Sequence, residues 1–188
     1  MPINTVDRRQ FLRFATGSVA LATLYPTGAL ASAIESNPIS KKNKVLAFNN
    51  LHTGEKLQTQ FYSNNKFIDS ELNKIYHIFR DFRQNEIHQI DTHLLSQLDS
   101  IQSLLNTDAE VQIISGYRSP LTNEQLRSNS SGVAKKSFHM LGQAMDFRLD
   151  GVPLDEVRDA ARILKAGGVG YYPNSNFVHI DSGPVRSW

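Results

Sequence analysis

Along residues 69–82 the apolar positions Leu72, Ile75, Tyr76, Phe79 and Phe82 recur at steps of three and four, with Asp69 or Ser70 available as N-cap and Glu71 in the first turn. That spacing predicts an amphipathic helix whose aromatic stripe packs in a core. A second helix is predicted over residues 92–105, where Leu94, Leu95, Leu98, Ile101, Leu104 and Leu105 share one face. Arg80, Asp81, Arg83 and Glu86 then read as solvated charges. Ahead of the helices, residues 45–50 and 57–62 are short β-prone runs separated by His52-Thr53-Gly54-Glu55, which predicts a hairpin with His52 in its turn.

Downstream the pattern changes. Residues 111–114 form a short apolar run that ends in Ser115-Gly116-Tyr117-Arg118-Ser119-Pro120, and residues 128–137 form a loop rich in Ser and Gly. Residues 144–149 and 177–180 read as strands and residues 154–165 as a helix. Residues 167–170 read as a tight glycine connection into Tyr171-Tyr172-Pro173. A hairpin, two helices and then separate strands make an α+β chain rather than a regular βαβ repeat.

The composition narrows the chemistry. The chain has 188 residues and no Cys, so disulfides, thiol nucleophiles and Cys-based zinc sites are excluded, and any metal must be held by His, Asp or Glu. The net charge of +2 is supplied by Arg8, Arg9 and Arg13 against Asp7, leaving a neutral body with no electrostatic case for nucleic-acid binding. Those arginines, a mild apolar stretch to Leu24, Pro26 and Ala29-Leu30-Ala31 together read as a twin-arginine export signal over residues 1–31. The apolar stretch is too short and too interrupted for a membrane span. Residues 32–44 read as a flexible lead-in, and the mature protein is expected outside the cytoplasmic membrane, in a periplasm, as a monomer.

The chemistry concentrates in Ser137-Phe138-His139 through Asp146, followed by His179-Ile180-Asp181. Two imidazoles and a carboxylate make a three-ligand zinc site with a fourth position open to water, the equipment for amide hydrolysis. His179 and Asp181, two apart on a strand, share a face, which sets Asp181 beside the metal without making it a ligand.

At this point the sequence resembles a family of periplasmic zinc peptidoglycan endopeptidases. The broader superfamily of D-alanyl-D-alanine-type metallopeptidases and hedgehog-like domains carries S-x-H-x-x-x-x-x-x-D and a later His, here Ser137, His139, Asp146 and His179. The closer family shares L-H-T-G-E at residues 51–55, S-G-Y-R-S at 115–119 and S-S-G-V-A-K at 130–135. It also shares G-G-V-G-Y-Y-P at 167–173 and the F-V-H-x-D-x-G-x-V-R-x-W ending at 177–188.

The resemblance implies a single hedgehog/DD-peptidase-like zinc peptidase domain over residues 45–188, with a central, mostly antiparallel sheet flanked by helices. It implies one Zn2+ held by His139, Asp146 and His179, with Arg118 facing the substrate, where its fork can stabilise an oxyanion. Ser137 is read as supporting a ligand, and Tyr117, Tyr171 and Tyr172 as lining the groove. Many relatives place a Glu three residues before the last zinc His, where this chain has Asn176. Asp181 is therefore expected as general base, with the alternative that it fixes the tautomer of His179. The expected partners are the export machinery and peptidoglycan cross-links, either diaminopimelate–diaminopimelate, which the resemblance favours, or D-Ala–diaminopimelate. A carboxypeptidase and a non-catalytic wall-binding module are the alternatives.

Overall fold

The computed structural model describes residues 43–130 and 132–188. The export-signal reading and nearly all of the lead-in reading lie outside these residues. The first hairpin forms where alternation places it, from β1 (Asn43–Asn50) and β2 (Lys56–Ser63), paired antiparallel. Its turn is held by Asn50, whose Oδ1 accepts from the backbone N–H groups of His52 (3.0 Å) and Thr53 (3.3 Å). His52 is a turn residue, as expected, with its ring stacked on Phe82 at 4.6 Å. Asn43 and Lys44 already belong to β1, so the lead-in ends earlier than its sequence suggests. Lys44 is anchored there by an ion pair to Asp99 at 2.9 Å.

The remaining strands are β3 (Lys66–Phe67), β4 (Val111–Ser115), β5 (Ala144–Leu149), β6 (Gly168–Tyr172), β7 (Phe177–Asp181) and β8 (Arg186–Ser187). They assemble into one eight-stranded sheet in the order β3-β2-β1-β4-β5-β7-β6-β8. Only β1–β4 and β6–β8 pair in parallel, so the sheet is mostly antiparallel, as the α+β reading requires. The helices are α1 (Asp69–Ile78), α2 (Thr92–Leu104), α3 (Pro120–Asn129) and α4 (Leu154–Leu164). No helix among the described residues is long and apolar enough to cross a membrane.

Strand periodicity decides which side of the sheet does what. Val111 and Ile113 of β4, Met145, Phe147 and Leu149 of β5, and Val178 and Ile180 of β7 enter one core. They share it with Leu94, Leu95, Leu98 and Ile101 of α2 and with Val157, Ala160 and Ala161 of α4. Burying each of the larger side chains contributes about 1.5–3 kcal/mol. The alternate positions, Asp146 on β5 and His179 and Asp181 on β7, therefore fall on the other face.

Three expectations need correction. Helix α1 stops at Ile78 and starts from Ile68 without a side-chain cap, rather than running from Asp69 or Ser70 to Phe82. Asn50 Nδ2 donates to the Ile78 carbonyl (2.9 Å), and Arg80 Nη1 to that of His77 (2.8 Å), so side chains satisfy carbonyls that a longer helix would use. Asp81 and Glu86 form an isolated bridge instead, and Asp81 is 1% exposed rather than solvated. The glycine-rich residues from Gly168 onward belong to a strand, not a connection. A Cβ at Gly170 would meet the Trp188 ring at 2.8 Å, so the glycine makes room for an aromatic side chain on that face.

Candidate active site

The three proposed ligands come from two adjacent strands and a short turn. Asp146 and His179 are directly opposite each other in the antiparallel β5–β7 ladder, and a cross-strand pair brings side chains on one face into contact. His139 arrives on a 3-10 turn, Phe138–Leu141, that is capped at both ends. Ser137 Oγ accepts from the His139 N–H (3.4 Å), and Gly142 closes the turn in the left-handed region at φ 66°. Their ligand atoms all lie within 4.8 Å of one another.

The protonation pattern suits a cation. His139 Nδ1 lies 2.7 Å from the Gly116 carbonyl, to which only an N–H can bond, so the lone pair is on Nε2. That Nε2 is buried, makes no hydrogen bond, and sits 3.3 Å from Asp146 Oδ2. Burial pulls the His139 pKa down, keeping the ring neutral. His179 Nδ1 lies 2.8 Å from Asp146 Oδ1 and its Nε2 3.1 Å from Asp181 Oδ2. Burial disfavours a charged His179, but the two carboxylates raise its pKa nonetheless. Burial would raise Asp146 too, yet His139 and His179 hold it far below the usual carboxylate range. A buried nitrogen without a partner, a second imidazole and an ionised carboxylate fit a divalent metal with N and O preferences.

Arg118 faces this cluster. Its side chain is 12% exposed, its Nε has no hydrogen-bond partner, and its nearest counter-charge is Asp146 Oδ2 at 4.0 Å. Burial lowers its pKa, opposed by Asp146. A guanidinium this buried and this weakly paired has its donors free for another acceptor.

Asp181 shares the His179 face, as expected, but it is fully buried and does not line the cleft. Its Oδ1 accepts from the Gly168 N–H (3.0 Å), the Gly183 N–H (2.9 Å) and Arg186 Nη1 (3.1 Å), and its Oδ2 from Arg186 Nη2 (2.6 Å). Burial would raise its pKa, but His179, Arg186 and the two backbone N–H groups lower it strongly. Such a carboxylate is a weak base out of reach of solvent, and its geometry is that of a partner fixing His179. Asn176 is also absent from the cleft. It sits at φ 54° in the turn before β7, a conformation Asn tolerates, beside a separate hollow lined by Arg148 and Asp150. Asp146 is the only Asp or Glu among the described residues lining the cleft.

The cleft has a volume of about 460 Å3, enough for a peptide segment. Of the three tyrosines read as groove residues, the structure brings only Tyr172 there. It stacks on Phe177 at 4.6 Å and accepts from Trp188 Nε1 at 2.6 Å. Tyr171 instead packs against the core under Arg158, whose guanidinium lies 4.5 Å from its ring centroid. Tyr117 is buried, donates to Glu86 Oε1 (2.7 Å) and stacks on His88. Burial, with Glu86, pushes its pKa up to about 12. Sequence reasoning assigned no role to Arg186, Trp188 or Lys136, all of which line the cleft. The first two stand in the shared C-terminal motif, and that was the available signal.

Comparison with known proteins places the chain's relatives among peptidoglycan endopeptidases. A family model described as Peptidoglycan L,D-endopeptidase MepK matches residues 38–188. The chain is 51% identical over 183 residues to the peptidoglycan L,D-endopeptidase MepK of Escherichia coli strain K12, covering 97% of each. It is 41% identical over 188 residues to the probable peptidoglycan L,D-endopeptidase MepK of Haemophilus influenzae, covering 99% of this chain and 98% of that one. No solved structure matches it.

Proposed function

The chain belongs to the peptidoglycan L,D-endopeptidase MepK family, and from that premise we propose that it is a zinc peptidase that opens diaminopimelate–diaminopimelate cross-links. It is a peptidoglycan endopeptidase and a metallopeptidase. The choice of bond follows from stereochemistry. An L,D bond joins the carbonyl of an L centre to the amine of a D centre, as a meso-diaminopimelate pair linked head to tail provides. A D-Ala–diaminopimelate link joins two D centres and does not qualify. Because the wall lies outside the cytoplasmic membrane, the protein is read as exported to the periplasm, acting there as a monomer.

The observation that carries this reading is the partnerless Nε2 of His139, buried beside Asp146 and His179 on the floor of a peptide-sized cleft. Bound there, zinc supplies Lewis acidity and a water acidic enough to be a nucleophile at neutral pH. The chain's own residues do the rest. Gly116 O holds His139 with its Nε2 lone pair toward the site, and Asp181 holds the Nε2–H of His179, leaving Nδ1 toward the metal. Arg118, with its Nε–H unpartnered and only a 4.0 Å contact to Asp146, is the donor for the oxygen on which negative charge develops as the amide carbonyl becomes tetrahedral. Tyr172, Phe177 and Trp188 form an apolar wall for the aliphatic diaminopimelate arm. Lys136, exposed at the cleft with no partner among the described residues, suits the carboxylate on the carbon that bears the scissile nitrogen.

The test is digestion of purified muropeptides by the mature protein and by His139→Ala, with metal content measured alongside. About one zinc per chain and cleavage of diaminopimelate–diaminopimelate dimers, both lost in the variant, are expected. Cleavage of D-Ala–diaminopimelate dimers alone, or trimming of monomers alone, refutes the assigned bond. Binding to sacculi without any released product refutes catalysis.

A further inference from the structure

Arg118 has to be aimed, yet no hydrogen bond among the described residues holds its side chain. Nε is unpartnered, and the nearest carboxylate is 4.0 Å away. Its direction must therefore come from the backbone that carries it, and that backbone is fastened from behind by Asp81. This carboxylate is 1% exposed and forms no ion pair among the described residues. An ionised group buried without a cation is costly unless several donors converge on it. Here Oδ1 accepts from the backbone N–H of Arg83 (3.0 Å) and Gln84 (3.4 Å), while Oδ2 accepts from the backbone N–H (3.0 Å) and the hydroxyl (2.7 Å) of Ser119.

The bond to the Ser119 hydroxyl is informative. With its proton committed to Asp81, Ser119 Oγ turns a lone pair to the Thr122 N–H (3.2 Å) and caps α3. Asp81 therefore fixes the residue immediately after Arg118 and, through it, the start of a helix. The residues on the other side are fixed as well. The Tyr117 N–H donates to Phe79 O (2.8 Å), the Arg118 N–H to His139 O (3.2 Å), and Gly116 O receives His139 Nδ1. A Cβ at Gly116 would lie 2.4 Å from Phe79 O, so this stretch lies tight against the chain just before Asp81.

We propose that Asp81 is a positioning residue for the hydrolysis, which aims the Arg118 guanidinium at the oxyanion by clamping Ser119. The proposal rests on the reading of Arg118 as oxyanion donor. Asp81→Asn is the direct perturbation, because it is isosteric yet replaces one acceptor oxygen with a donor. Whichever way the amide turns, its NH2 meets either the Ser119 backbone N–H or the Arg83 and Gln84 N–H groups, donor against donor, and on the Ser119 side the hydroxyl must turn its proton away from Asp81's position.

The experiment is a double-mutant cycle of Asp81→Asn with Arg118→Ala, reading kcat, KM and metal content on a cross-linked muropeptide dimer. Asp81→Asn alone is expected to lower kcat about 10- to 100-fold, the scale of an ångström-sized misplacement, with KM within about twofold and metal content unchanged. In the Arg118→Ala background the same change is expected to cost less than about twofold, because no guanidinium remains to be aimed. Equal losses in both backgrounds overturn the proposal and leave Asp81 a purely structural acid, as does full kcat in Asp81→Asn. Full activity in Arg118→Ala alone overturns it through the reading beneath it, a failure visible in that single variant. Should Asp81→Asn not fold, Ser119→Ala enters the same cycle, removing the hydroxyl contact while keeping the backbone one. A smaller kcat loss that vanishes without Arg118 supports the proposal, and a loss that persists overturns it.

Discussion

Replacing Asp181 by Asn separates a base from an orienting group. In the wild-type protein its two oxygens accept from five donors, three at Oδ1 and two at Oδ2, and one of the latter is the Nε2–H of His179. Asn has a single acceptor oxygen. Placed at the Oδ1 position to satisfy Gly168, Gly183 and Arg186, it turns its NH2 toward His179 Nε2 and Arg186 Nη2, donor against donor. Arg186, whose side chain is 39% exposed, can turn to water, whereas His179, at 12%, has less freedom and loses the acceptor that fixes its tautomer. Loss of such a supporting contact typically weakens a metal site about 10- to 100-fold, equivalent to about 1.4–2.8 kcal/mol. A chelator-competition titration at pH 7 reads that shift directly, and kcat is then measured with metal saturating. Weakened affinity with substantial kcat at saturation is the expected outcome. Unchanged affinity with kcat abolished would falsify the orienting role and restore Asp181 as the proton acceptor.

Other outcomes follow from the same geometry. Arg118→Lys keeps the charge but loses the fork, and kcat is expected to fall about 100- to 1,000-fold with metal content intact. Lys136→Met is expected to raise KM for dimers bearing a free carboxylate beside the scissile bond but not for their amidated counterparts; equal KM changes for both would remove Lys136 from substrate recognition. In Asp81, burial alone would raise the pKa, but hydrogen bonds from the Ser119 hydroxyl and from the Ser119 and Arg83 backbone N–H groups lower it below the ordinary 3.8. Its contribution to stability is thus full above the unfolded-state pKa and lost as pH falls through the depressed folded one. Urea melts at pH 6 and pH 3 are expected to show the wild-type advantage over Asp81→Asn shrinking at the lower pH.

Asp146 and His179, two of the three candidate ligands, were legible together with their strands because strand alternation is local. Met145 and Phe147 on one side of β5 leave Asp146 on the other, and the same holds for Val178 and Ile180 around His179. The end of α1 was not legible, because Phe79 and Phe82 continue the helical spacing while the side chains that stop the helix, Asn50 among them, arrive from elsewhere. Asp81 looked like a surface charge for a related reason. Its partner Ser119 lies 38 residues away, and nothing in a local window distinguishes an acid that meets water from one that meets a distant hydroxyl. Gly168 and Gly170 misled in the opposite sense, since glycine usually marks a turn. Here it sits in a strand whose outer surface must accommodate Asp181, Arg186 and Trp188.

The pairing of Asp146 with His179 across β5 and β7 has a kinetic consequence. A slip of one residue turns a strand's outward side chains into the core, so these two candidate ligands meet only after the segments have docked in their final register. The site is therefore completed late, by a non-local pairing, and metal cannot template the steps that precede it. Added metal should then slow unfolding while leaving the folding rate nearly unchanged. An ion held there would act as a latch on a finished sheet rather than as a seed for one.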